Sequence, residues 1–105
     1  MRPRIGLNCD IQTGAKPRVF LYLGYLDYVS VGGGVPLLLP PSPDAELLLD
    51  DLDGVLFTGG DDYRAGHSGA DPPGFVPVAE RREESDLRLA RLALDRDLPV
   101  LGICG

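Results

Sequence analysis

A thiol with glycine two residues before it and one after it, in Gly102-Ile103-Cys104-Gly105, is the first place in this sequence where chemistry suggests itself. A nucleophile on a sharp strand-to-helix turn needs small neighbours, because the backbone there is strained and crowded. Gly105 offers a backbone N–H to a developing oxyanion. The full pattern would be Gly-x-Cys-x-Gly, and the sequence stops before its last glycine. An inert, buried cysteine closing a strand is the competing reading. The second candidate is Thr58-Gly59-Gly60-Asp61-Asp62. Two glycines at the carboxyl end of a strand let the backbone approach a ligand and turn an N–H toward it. A tight turn into a surface loop explains the same residues equally well. Their shared position at the ends of predicted strands favours the functional reading of both.

Other reactive residues are read more plainly. His67 is the only histidine, and it falls in a polar loop where a solvated side chain is expected. Asp61, Asp62, His67 and Asp71 have ligand chemistry, yet acidic residues in such a loop ordinarily face water, so no metal or other cofactor is expected. Cys9 and Cys104 are far apart and make neither a disulfide framework nor a zinc-ligand pair. Cys9 is expected to be a reduced thiol without a chemical role.

The elements that must position these residues alternate. Residues 4–9 and 35–39 read as the first two strands, and residues 18–31 between them as a helix with Phe20, Leu23, Leu26 and Val29 on one stripe. Gly32-Gly33-Gly34 ends that helix, where left-handed angles are wanted. Ser42 or Asp44 caps a short helix through Leu49. Residues 54–58 form a third strand, apolar at nearly every position as suits burial on both faces. A long Gly-, Pro- and Asp-rich loop follows over residues 59–77. Residues 80–96 are an amphipathic helix with Leu87, Ala90 and Leu94 inward and its arginines outward. Residues 98–103 give the fourth strand. Strands separated by helices imply right-handed crossovers and a parallel three-layer α/β sandwich in one domain, residues 1–105. The site then lies at the carboxyl ends of the strands, at residues 8–10, 58–62 and 103–105.

Composition narrows the partners. With 44% hydrophobic and 25% charged residues the chain is an ordinary globular one. A net charge of -6 argues against nucleic acid and anionic membrane surfaces. No apolar run approaches the length of a membrane span, and the amino-terminal stretch is too broken for a signal-peptide core, so a cytoplasmic location is expected.

Four blocks in register carry a family resemblance: Tyr25-Leu26-Asp27, residues 32–40, residues 52–60 and residues 98–105. In order and spacing they resemble the class I glutamine amidotransferase-like superfamily, in its γ-glutamyl-γ-aminobutyrate hydrolase (peptidase C26) branch. Arg82-Glu83 with Asp86 is similar to an Arg-Asp-x-x-Glu element that precedes the nucleophile strand there. The resemblance covers nearly the whole chain and implies a flavodoxin-like sheet, truncated after its fourth strand, with a Cys-His-Glu triad. It implies that Cys104 attacks a γ-glutamyl amide and that the backbone N–H groups of Gly60 and Gly105 form the oxyanion hole. The family's histidine and glutamate lie far downstream of the cysteine and have no counterpart here.

The expectation is therefore the amino-terminal part of a γ-glutamyl hydrolase acting on a small-molecule substrate. A catalytically inactive fragment or one half of a split enzyme is the alternative. An uncovered strand edge favours self-association or a complementing carboxyl-terminal half. A phosphoacceptor receiver would need aspartate where the third strand ends in Thr58. A phosphate-binding loop would need its glycines after a strand, whereas Gly32-Gly33-Gly34 follows a helix.

Overall fold

The computed structural model describes residues 2–59 and 79–103. Four parallel strands form the sheet: β1 (Arg4–Asn8), β4 (Val35–Leu39), β5 (Gly54–Phe57) and β6 (Val100–Gly102). They lie in the order β4-β1-β5-β6. Numbered among themselves the strands run 2-1-3-4, the flavodoxin-like order, in which the chain reverses direction across the sheet between β1 and β5. Helix α1 (Leu23–Val31) covers one face over Leu7 and Leu56. Helix α2 (Glu80–Asp95) and a 3-10 helix (Pro43–Asp51) cover the other, packing Leu89, Ala93, Ala45 and Leu49 over Leu39 and Val55. This is the expected three-layer α/β sandwich. Consecutive residues of β5 enter opposite cores, Val55 and Leu56 both being buried, which is why that strand is continuously apolar.

Helix ends follow local chemistry. Ser42 caps the 3-10 helix, its hydroxyl accepting from Asp44 N–H at 3.3 Å. The glycine run closes α1 as anticipated: Gly34 N–H donates to Val29 O at 2.9 Å and Gly33 N–H to Ser30 O at 3.1 Å, with Gly33 at φ 91°. Those two bonds are the 6→1 and 5→2 pair of a Schellman motif, and the left-handed residue between them is what glycine supplies cheaply. Gly6 answers a different need. A Cβ there would stand 2.6 Å from Leu52 Cδ1 and 2.8 Å from Leu39 Cδ1, so the bare backbone of β1 lets the 3-10 layer close on the sheet.

Two expectations change. The helix predicted over residues 18–31 begins only at Leu23, because Arg18–Phe20 is a strand, β3, pairing antiparallel with β2 (Asp10–Gln12). Val19 and Phe20 favour extended backbone, and pairing with Ile11 and Asp10 wins over the weak helical spacing. Leu23 is exposed, while Leu26 and Val29 face inward as expected and Tyr25 joins them. Helix α2 is also rotated from the predicted face. Leu87 and Leu94 are exposed and Ala90 half-buried, while Arg82, Asp86, Leu89 and Ala93 are buried. Arg82 is thus not an outward arginine: its charge enters the interior paired with the carboxylate one turn later.

Candidate functional site

The carboxyl ends of β1 and β5 meet at one edge of the sheet, where a buried polar network joins them to α2. Strand alternation turns Asn8, the last residue of β1, toward the α2 side, and it is 1% exposed. Thr58 N–H donates to Asn8 Oδ1 at 2.6 Å, and the Thr58 hydroxyl donates to the same oxygen at 2.9 Å. A backbone N–H can only donate, so the atom facing it is the amide oxygen. The Asn8 amide nitrogen is left to donate to Asp86 Oδ2 at 2.9 Å, an arrangement that satisfies both ends of the amide.

Arg82 occupies the centre. Its side chain is fully buried, and Nε donates to Asp86 Oδ2 at 3.1 Å across one helical turn. Nη1 lies 2.9 Å from Asp10 Oδ1, at the start of β2. That contact is one of charge, since its alignment is poor for a hydrogen bond. Nη2 donates to Thr58 O at 3.1 Å and more weakly to Gly59 O at 3.4 Å. A rigid, permanently charged fork of donors suits one group that must hold two carboxylates and two carbonyls at once. On the opposite face, Gly59 N–H donates to the Tyr25 hydroxyl of α1 at 3.0 Å.

Cys9 follows Asn8 and is 2% exposed. Burial pushes its thiol up from the ordinary range, the Asp86 carboxylate adds to that, and the Arg82 guanidinium and a backbone hydrogen bond oppose it. A thiol held protonated is a poor nucleophile.

Strand β6 runs beside β5 in parallel register, with Phe57 opposite Gly102 and Ile103 N–H donating to Phe57 O at 2.9 Å. Ile103 packs with Tyr25 against Leu7, Val29 and Leu56. Cys104, Gly60 and Gly105 lie outside the described residues, as do His67, Asp61, Asp62 and Asp71. No group of side chains suited to holding a metal ion occurs among the described residues. None of their helices is long and apolar enough to cross a membrane.

The segment at residues 8–10 and the Arg82/Asp86 pair were both marked by the sequence, but their convergence was not. The available signal was the i,i+4 spacing of Arg82 and Asp86 on the same stripe as Leu89 and Ala93. The Tyr25 hydroxyl contact had no signal in spacing, since it depends on how α1 sits over the sheet.

Comparison with known proteins agrees with this architecture. The chain is 36% identical to the Mycobacterium tuberculosis protein named "Putative glutamine amidotransferase Rv2859c", over 98% of this chain and 37% of that protein. It is 31% identical to "Putative glutamine amidotransferase-like protein RP404" of Rickettsia prowazekii, over 97% of this chain and 38% of the relative. It is 24% identical to a Schizosaccharomyces pombe protein named "Putative glutamine amidotransferase PB2B2.05", again over 97% of this chain and 38% of that protein. The chain thus spans less than two-fifths of the length of these relatives. The Peptidase C26 family model matches residues 3–105. Matched from Pro3 to the last residue, the chain belongs to the Peptidase C26 family, within the class I glutamine amidotransferase-like superfamily.

Proposed function

We propose that this protein carries the nucleophile and oxyanion elements of an enzyme that hydrolyses γ-glutamyl amide bonds. The Cys104 thiolate attacks the γ-carbonyl carbon, and the carbonyl electrons move onto oxygen to give a tetrahedral intermediate. The backbone N–H groups of Gly60 and Gly105 receive that oxyanion. Collapse expels the amine, which takes a proton from a histidine, and water then hydrolyses the thioester to release the γ-carboxylate. In this reading the histidine, and the glutamate that orients it, come from outside the 105 residues.

The observation that carries the reading is the junction of β5 and β6. Both strands end at the same edge of the sheet, in parallel register, and the Ile103–Phe57 hydrogen bond holds them together one residue before Cys104. Family membership supports the chemistry, and the network beneath Thr58 and Gly59 supplies the rigidity an oxyanion site needs. A second reading, an inactive fragment or split-enzyme half, is supported by the apolar side chains that β6 leaves exposed. Under it, the exposed Val100 and Leu101 of β6 take part in self-association or dock a complementing carboxyl-terminal half.

The test is release of ammonia or glutamate from γ-glutamyl amides. It compares the chain alone, the chain mixed with the downstream part of a relative, and Cys104→Ala in both settings. Turnover in the mixture that disappears with Cys104→Ala supports the proposal. Turnover that survives Cys104→Ala rules out the assigned nucleophile. Activity of the chain alone that is lost in both Cys104→Ala and His67→Ala would make the short form a complete enzyme.

A further inference from the structure

The peptide joining Thr58 to Gly59 is gripped from both faces of the sheet. A trans peptide is planar and carries its C=O and N–H on opposite sides. Here the carbonyl of Thr58 accepts from Arg82 Nη2 at 3.1 Å, and the N–H of Gly59 donates to Tyr25 Oη at 3.0 Å. Arg82 belongs to α2 and Tyr25 to α1, so the two anchors come from helices on opposite sides of the sheet. The peptide before it is fixed as well, because Thr58 N–H donates to Asn8 at 2.6 Å. The Thr58–Gly59 peptide therefore has little freedom left to rotate.

We infer that Tyr25 and Arg82 act as a two-sided clamp that orients the Thr58–Gly59 peptide after β5 for catalysis, with Tyr25 a positioning residue of the reaction proposed above. The inference rests on that reading for its catalytic consequence and on geometry alone for the clamp. A buried guanidinium on the carbonyl side leaves one way for the N–H to point, and a phenolic oxygen waits there to accept it. Free rotation of a Gly-Gly turn would blur any oxyanion donor it carries, and a misplacement of about an ångström is costly to a reaction that depends on aligned donors. Tyr25 is also well placed to relate this peptide to the end of β6. It lines, together with Ile103, Tyr22 and Tyr28, a hollow of about 300 Å³ on the α1 side. One side chain therefore holds the Gly59 N–H and packs on the same apolar cluster as Ile103, which follows β6.

Tyr25→Phe isolates the clamp, since it keeps the ring that packs on Leu7, Val29 and Leu56 and removes only the acceptor. In the isotope-labelled 105-residue chain, Gly59 amide hydrogen exchange is expected to rise by about tenfold or more while the Leu7 amide stays protected. In the mixture with a relative's downstream part, kcat on γ-glutamyl amides is expected to fall by roughly tenfold with KM within about twofold, the signature of lost transition-state alignment. Unchanged Gly59 exchange in Tyr25→Phe overturns the clamp whatever the mixture does. Wild-type kcat in Tyr25→Phe overturns its role in the reaction. A mixture inactive even with the wild-type chain counts against the γ-glutamyl reading, and the exchange measurement then decides the clamp by itself.

Discussion

Asn8 and Arg82 close on the same oxygen: the Asn8 amide donates to Asp86 Oδ2 at 2.9 Å and the Arg82 guanidinium at 3.1 Å. This pairing ties the end of β1 to α2, and Asn8 carries the tie on to Thr58 at the end of β5. It also explains why a charged residue can be fully buried in so small a domain. Nε and Nη2 donate to a carboxylate and to carbonyls, and Nη1 lies in charge contact with Asp10, so much of the ion's lost hydration is replaced by fixed partners.

Arg82→Met should therefore be severe. It strands the buried Asp86 carboxylate and removes the donor from Thr58 O, and breaking a buried pair from one side typically costs about 3–5 kcal/mol. Adding Asp86→Leu to Arg82→Met should recover much of that loss, because the orphaned charge goes too. Arg88 and Glu46 form the contrasting case, an exposed pair at 2.8 Å whose loss in Glu46→Gln should cost under about 1 kcal/mol. Urea denaturation of the four proteins is the measurement. Equal losses for Arg82→Met and Glu46→Gln would show that the buried network contributes no special stability.

Asp97 offers the opposite direction. It sits at φ 54° just past α2, with its N–H on Leu94 O at 3.0 Å and Leu98 N–H on Ala93 O at 3.0 Å. This is a second Schellman closure, built with aspartate where the first uses Gly33. A Cβ in the left-handed region costs roughly 1–2 kcal/mol, partly relieved for aspartate. Asp97→Gly should accordingly stabilise the domain by about 0.5–1 kcal/mol, even after the greater chain entropy of glycine is counted. A lower melting temperature for Asp97→Gly would refute the assignment of strain to this residue.

The strands were legible because their residues obey local rules. Val35–Leu39 and Gly54–Phe57 are continuous apolar runs; Gly54–Phe57 is buried on both faces, as such a run implies, whereas Leu37 and Leu38 of the edge strand stay exposed. The hairpin of Asp10–Gln12 and Arg18–Phe20 escaped, because three-residue strands carry too little pattern to outweigh neighbouring helical spacing. The inward face of α2 escaped for a sharper reason. Reading apolar residues inward and arginines outward is sound when charge stays in water, and Arg82 breaks the rule by bringing its counter-ion along. The site followed the same division. Segments at strand ends could be marked from topology, whereas the Asn8–Asp86–Arg82 contacts join residues up to 78 positions apart and needed the fold itself.

Cys9 gives a prediction whose sign follows from its surroundings. Its thiol is pushed up from the ordinary 9.0, first by burial and then by the Asp86 carboxylate, with Arg82 and a backbone hydrogen bond opposing. The folded protein thus holds the Cys9 proton more tightly than the unfolded chain does. Linkage makes that contribution to stability fully present below the unfolded value and lost as pH rises from there through the folded one. Cys9→Ala removes the titration and leaves a small cavity, a cost that does not vary with pH. The difference in unfolding free energy between wild type and Cys9→Ala should hence be flat from about pH 6 to 8 and shrink above about pH 9. Alkylation supplies the kinetic counterpart: at pH 8 the native Cys9 thiol should react far more slowly than it does in urea, because the thiolate is the reacting form and burial withholds it. Stability curves that stay parallel to pH 10.5, or native labelling of Cys9 at the denatured rate, would show that its thiol is neither buried nor held protonated by its neighbours.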